Sequence, residues 1–213
     1  MIEGSTYVLT APAARAALAV SVFADRGKNG LPALASVHVV INDGWIRAEA
    51  TDRYAALAFG AEITPKDDAK PVNVLLDGAN ALRVAKRIKA KSEALVTITF
   101  GDEFATISHE TSIERVDYVE GGYPTLTKVF HKKESERETV TRVNPVLIGR
   151  VGDWFRIVGG DPKRGATFEQ FHGRVTRATG WAARGEFAAV VMGLSAACAS
   201  HQAADELVSR LFS

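Results

Sequence analysis

Five cations crowd one short stretch of this chain. Between Gly78 and Ser92 lie Arg83, Lys86, Arg87, Lys89 and Lys91, with no acidic residue among them. Wound at about 100° per residue, Arg83, Lys86 and Arg87 share one helix face, with Lys89 and Lys91 at its margins. Ala81, Leu82, Ala85 and Ile88 line the opposite face. A helix divided this way can rest on a core and hold its cations against a phosphate backbone without reading bases. The same pattern also describes an ordinary solvated helix surface. A later stretch carries a thinner version: Arg156 projects opposite the apolar face of Leu147, Val151, Trp154, Phe155 and Val158, and Arg150 lies at its edge. Trp154, on that apolar face, reads as core.

Other chemistries find little footing. His38, His109, His131, His172 and His201 show no H-x₃-H or H-E-x-x-H spacing, so no metal site is expected. Cys198 is the only cysteine, which excludes an intrachain disulfide and a Cys-rich zinc site. Neither a Walker loop nor a G-x-S-x-G elbow occurs. The glycine-rich run 159–165 follows a helix instead of opening one, so no helix N-terminus points at an anion there. A non-catalytic protein without cofactor is the expectation. With 213 residues, 46% apolar and 24% charged, the chain can bury a sizeable core. Its net charge of +1 argues against tight, unaided DNA binding. No apolar run approaches the ~18 residues of a membrane span, and the N-terminus shows no basic-then-apolar leader pattern. A cytoplasmic location is expected.

The elements that must position these residues recur in one order. Residues 5–10 read as a strand, and Pro12 opens an Ala-rich helix at a position where its missing N–H costs nothing. After Arg26 and Lys28 come three strands, near 37–41, 45–50 and 54–60, the first pair joined by an Asn42-Asp43-Gly44 turn that accepts positive φ. This β-α-β-β-β order repeats. Residues 72–76 form a strand, Asp77 caps a helix to about Lys91, and strands follow at 95–100, 103–108 and 112–117. A linker over 121–138 holds Gly121-Gly122-Tyr123-Pro124 and a mixed charge run. The third copy has a strand at 139–143, a helix from Asn144-Pro145 to about Val158, and strands at 166–171, 174–179 and 187–192. Residues 195–212 read as a C-terminal helix with Ala203, Leu207, Val208 and Leu211 in one stripe.

Three segments carry a resemblance to a known family. The first is L-P-x-L-x-x-V, from Leu31 to Val37, followed by D-G-x-I-x-x-x-A-T-D, from Asp43 to Asp52. The second is R-V-D-Y-V-E-G-G-Y-P-T-L-T-K-V, from Arg115 to Val129, and the third is Ala189-Val190-Val191-Met192. In this order, on a repeated β-α-β-β-β frame over residues 5–193, they resemble the bacterial DNA polymerase sliding clamps. The match has gaps. The family's Arg in A-T-D-x-x-R-L is absent at Ala55 and Ala56, and Gly193-Leu194-Ser195 departs from V-V-M-P-M-R.

The resemblance implies an α+β clamp fold of three β-α-β-β-β units, with helices on one face of antiparallel sheets and a C-terminal helix. It implies a complete two-unit domain over 1–120, a linker over 121–138 and a partial domain over 139–213, against three full domains per chain in the family. Duplex DNA would be contacted without sequence specificity by Arg26, Lys28, Arg83, Lys86, Arg87, Lys89, Lys91 and Arg156. A pocket for short peptides of DNA polymerase or other replication partners would be lined by Thr51, Tyr54, Pro124, Lys128, Val129, Val190 and Met192. The same seven positions would also serve as plain core or turn residues. Clamp rings use twelve such units, so three per chain implies a homo-oligomer of four, paired through open edges at 187–192 and near the N-terminus. The expected function is a processivity factor that encircles DNA. The alternative is a clamp-fold interaction module that does not encircle it.

Overall fold

The computed structural model describes residues 4–26, 31–66, 68–126, 145–159, 167–171 and 175–192. Its architecture turns on the Ala-rich segment after the first strand, β1 (Ser5–Thr10). Thr10 caps this segment by accepting from the Ala13 N–H at 3.4 Å, and Pro12 sits in the first turn, so helix α1 (Ala11–Ala19) starts there. It runs on as a 3-10 turn, Val20–Phe23. Almost every α1 residue is buried, Ala11, Ala13, Ala14, Ala16 and Ala17 included. Side chains this small let two other helices and both sheets approach the same helix closely. α1 is the hub.

Strands β2 (Ser36–Asn42), β3 (Trp45–Thr51) and β4 (Ala55–Glu62) follow. Asp43 (φ 50°) and Gly44 (φ 74°) make the expected two-residue turn between β2 and β3. A short strand absent from the sequence reading, β5 (Thr64–Lys66), pairs with β1. Pro65 and Lys66 suit such an outer strand, which must not recruit further strands. The second unit is β6 (Val72–Asp77), α2 (Gly78–Arg87), β7 (Leu95–Phe100), β8 (Phe104–His109) and β9 (Ser112–Asp117). Asp77 caps α2 by accepting from the Asn80 N–H at 2.7 Å. The helix stops at Arg87, four residues before the expected end at Lys91. Ile88 turns to extended backbone (ψ 125°) and buries its side chain in the core. The third unit contributes α3 (Pro145–Val158), β10 (Thr167–Phe171), β11 (Val175–Ala182) and β12 (Gly185–Met192). The strand expected at 139–143 and the helix expected at 195–212 lie outside the described residues.

The first two units each lend a strand to the other. β1 of the first unit joins β7–β9 in a sheet of order β5-β1-β7-β8-β9. β6 of the second unit joins the first unit's strands in a sheet of order β10-β11-β12-β4-β3-β2-β6, where all described pairings are antiparallel. The third unit adds its strands through β12 against β4, with Val190 opposite Ala56 and Phe187 opposite Phe59. This corrects the expected open edges: β12 is bonded on both sides within the chain, and β1 lies between β5 and β7. The reason is that β4 has a free outer edge in the first unit, and β12 satisfies it in antiparallel register. On the helix side Trp154 of α3 is fully buried, donating from Nε1 to the Ala16 carbonyl at 3.2 Å. Its ring meets Phe59 and Phe187 with centroids 6.0 and 5.0 Å apart. One core therefore runs from the first unit into the third.

Arg15 ties the helices together. Its guanidinium donates to the carbonyls of Ile88 and Ile157, at the C-terminal ends of α2 and α3. A cation there satisfies carbonyls that a helix leaves unbonded and complements the dipoles of both helices. Burial pulls the Arg15 pKa below its ordinary value.

Candidate functional site

Where β12 joins β4, the turn between β3 and β4 stands over a hollow. The turn is pinned from within. Thr51 Oγ1 donates to the Ala55 carbonyl at 2.9 Å and accepts from the Arg53 N–H at 3.1 Å. Asp52 Oδ1 accepts from the backbone N–H groups of Tyr54 (3.0 Å) and Ala55 (2.9 Å), and its other oxygen accepts from Arg150 of α3. Arg53 is forced to φ 81°, a left-handed conformation that costs a non-glycine residue about 1–2 kcal/mol.

The hollow measures about 650 Å³ and is lined mainly by carbon. Leu31, Ala33 and Leu34 form one side, Thr51 and Arg53 to Ala56 the turn side, Gly122 to Pro124 with Leu126 the linker side, and Val190 completes the lining. Leu31 (61% exposed) and Tyr54 (64%) present large apolar surfaces at its mouth. Of the expected pocket residues, the structure brings together Thr51, Tyr54, Pro124 and Val190. Lys128 and Val129 lie outside the described residues. Met192 ends β12, opposite Val175. Sequence reasoning missed Leu31, Leu34, Arg53, Tyr123 and Leu126. Leu31 and Leu34 stood in the L-P-x-L motif that carries the resemblance but were not placed in the pocket.

Tyr123 divides this hollow from a more polar one behind it. Its ring stacks on His38 with centroids 4.6 Å apart. His38 is itself fixed by Glu49 (Nδ1 to Oε1, 2.7 Å) and Asn73 (Nε2 to Oδ1, 2.8 Å). The Tyr123 hydroxyl is buried without a hydrogen-bond partner among the described residues. Burial first, and then the Glu49 charge, push its pKa far above the ordinary phenol value. The polar anchoring holds the linker side of the hollow in place.

The cations of the basic helix face meet acids brought from other elements. Arg83 and Arg87 both donate to one carboxylate, Glu114 on β9, at 2.6 and 2.5 Å. Glu114 is only 8% exposed, and the two guanidiniums hold its carboxyl below the usual carboxylate range. Lys89, beyond the helix, reaches Glu110 at 3.0 Å. Arg156 pairs with Asp153 at 2.9 Å on the same helix. Lys86 and Lys91 are exposed and make no ion pair among the described residues. Arg26, Lys86, Arg150 and Arg156 line a hollow of about 460 Å³ together with Asp153 and the apolar Val22, Leu82 and Ile157. Lys28 lies outside the described residues. No group of three or more His, Cys, Asp or Glu able to hold a metal occurs among the described residues. No helix among them is long and apolar enough to cross a membrane.

This arrangement is the fold of bacterial DNA polymerase sliding clamps. The beta sliding clamp of Caulobacter crescentus superposes with a TM-score of 0.66 at 11% identity, covering 92% of this chain and 66% of that one. The DNA polymerase III beta subunit of Thermotoga maritima gives 0.63 at 11% identity, covering 90% and 65%. A Pseudomonas aeruginosa DNA polymerase sliding clamp also gives 0.63 at 11% identity, with the same coverage. The chain thus spans about two thirds of the length of these clamps. No protein-family model matches the sequence, and no curated protein matches it.

Proposed function

We propose that the chain is a clamp-fold interaction module, non-catalytic, whose apolar hollow at the β4–β12 seam captures a short linear peptide from a DNA polymerase or another replication partner. The observation that carries this is the 650 Å³ hollow itself, with Leu31 and Tyr54 exposed at its mouth. Concave, mostly apolar surface with a few fixed polar groups suits small-ligand and peptide capture. A rigid turn on one side and Tyr123 on the other favour a hollow that exists before its ligand arrives, which reduces the cost of binding. Titration with a peptide known to bind a bacterial clamp is the test. Wild type should bind it, and Tyr54→Ala should weaken binding about tenfold, since it removes an aromatic anchor worth ~1.5 kcal/mol or more. Equal binding by both proteins would move the site elsewhere.

A second reading is supported by the four cations around the smaller hollow, Arg26, Lys86, Arg150 and Arg156. On this reading the helix face makes weak, sequence-independent contacts with duplex DNA. The pairing of Arg83 and Arg87 with Glu114 leaves that cluster one net positive charge instead of two, so the contact is weaker than the helix alone would give. Encircling, a homo-oligomeric ring and the division into a two-unit domain (1–120), a linker (121–138) and a partial domain (139–213) belong to this second reading.

A further inference from the structure

We infer that the hollow at the β4–β12 seam selects peptides carrying a carboxylate beside their apolar anchors, and that Arg53 is the residue that does so. The inference rests on the pocket reading above. Among the described residues, Arg53 is the one cation lining that hollow, and no carboxylate lines it. The nearest acid in sequence, Asp52, is fully engaged: one oxygen takes two backbone N–H groups and the other takes Arg150. Arg53 itself makes no ion pair among the described residues, and it is exposed. Its backbone is held at φ 81° by the Thr51 and Asp52 hydrogen bonds, so the side chain departs from a fixed point on the rim.

A guanidinium beside an apolar wall repels basic peptides and gains from an acidic one. Its planar fork also matches a carboxylate with two parallel bonds. The low dielectric of the adjoining apolar surface strengthens that pairing relative to open water. Charge complementarity of this kind acts mainly on specificity. The occupant is therefore a separate peptide with bulky aliphatic or aromatic side chains for the hollow and a Glu or Asp next to them.

The experiment compares three synthetic peptides that differ at one position. Each carries adjacent leucines flanked by Glu, by Gln or by Lys, and binding is read by fluorescence anisotropy at low and high salt. Wild type should prefer the Glu peptide over the Gln peptide by about fivefold, the upper range for an exposed ion pair, and the Lys peptide should bind worst. Salt should narrow the gap. Arg53→Gly, which suits the left-handed backbone and so keeps the turn, should bind the Glu and Gln peptides equally. Arg53→Lys should keep part of the preference. Equal affinity of wild type for all three peptides would overturn the role of Arg53 while leaving the pocket in place. Failure of every peptide to bind overturns the pocket reading, and this inference with it. Self-association of wild type that the peptides displace would make a second copy the occupant, and would also overturn the proposal.

Discussion

Glu114 shows what a single residue does to the meaning of its neighbours. The stretch from Gly78 to Ser92 has no acid, and on that ground its cations look free. The acids arrive from β9 and from the turn before it: Glu114 takes Arg83 and Arg87, and Glu110 takes Lys89. Counting charge along one element cannot see a partner that the fold brings across from another. The pairing has a pH signature. Because Glu114 titrates below its ordinary value in the folded state, its stabilisation is complete above the unfolded carboxylate pKa of about 4.3. It is lost as pH falls through the lower folded value. Glu114→Gln should therefore lower the Tm by about 3–6 °C near neutrality, from roughly 1–2 kcal/mol of lost charge-assisted bonding. The gap between variant and wild type should close as the pH drops below about 4. Thermal melts of both proteins from pH 3 to 7 check it. A gap that stays constant with pH would mean that the carboxylate charge is not what stabilises.

At the scale of elements, much of the chain was readable from its punctuation. Pro12, Asp77, and Asn42-Asp43-Gly44 sit where helix starts and turns are needed, and the structure starts α1, α2 and the β2–β3 hairpin there. What the sequence hid was the partner of each strand, since antiparallel pairing at long range leaves no local mark. The β4–β12 seam is such a case, and Gly185 guards it. A Cβ at Gly185 would stand 2.4 Å from the Gly60 carbonyl oxygen and 2.5 Å from the Phe59 ring. Backbone cannot yield as a flexible side chain can. Gly185→Val should therefore part the two strands and cost about 3 kcal/mol or more. The neighbouring Arg184→Gly should do the opposite. Arg184 lies at φ 63° in the tight turn between β11 and β12, where glycine is favoured, so the change should gain about 0.5–1 kcal/mol. Denaturant melts of the two variants should move in opposite directions. If Gly185→Val melts like wild type, the close approach of β12 to β4 is not as drawn.

For the whole molecule the question is whether contact with DNA is topological or merely electrostatic. The frame of repeated β-α-β-β-β units was visible in the order of strands and helices, yet the way the third unit closes was not. It was expected to leave edges for other copies, whereas β12 completes the sheet of its own chain. A chain that satisfies its own seam has less need of a neighbour there, and a ring must then be closed through other surfaces. The two cases separate by experiment. A ring threaded on a closed circle is retained until the circle is cut. A basic face binds linear and circular duplexes of equal length alike. For the face built by Arg26, Lys86 and Arg156, the last offset by Asp153, neutralising about two phosphates gives a slope near −1.8 in log K against log salt. We expect binding that is weak, equal on the two forms of DNA, and of about that slope. Lys86→Glu, at an exposed position with no ion pair to lose among the described residues, should flatten the slope by about one phosphate or more without altering the fold. Retention on closed circles that vanishes on linearisation would instead establish encircling. In that event the cations of α2 and α3 would face the duplex within a ring, and the self-completed β4–β12 seam would be one internal junction of that ring.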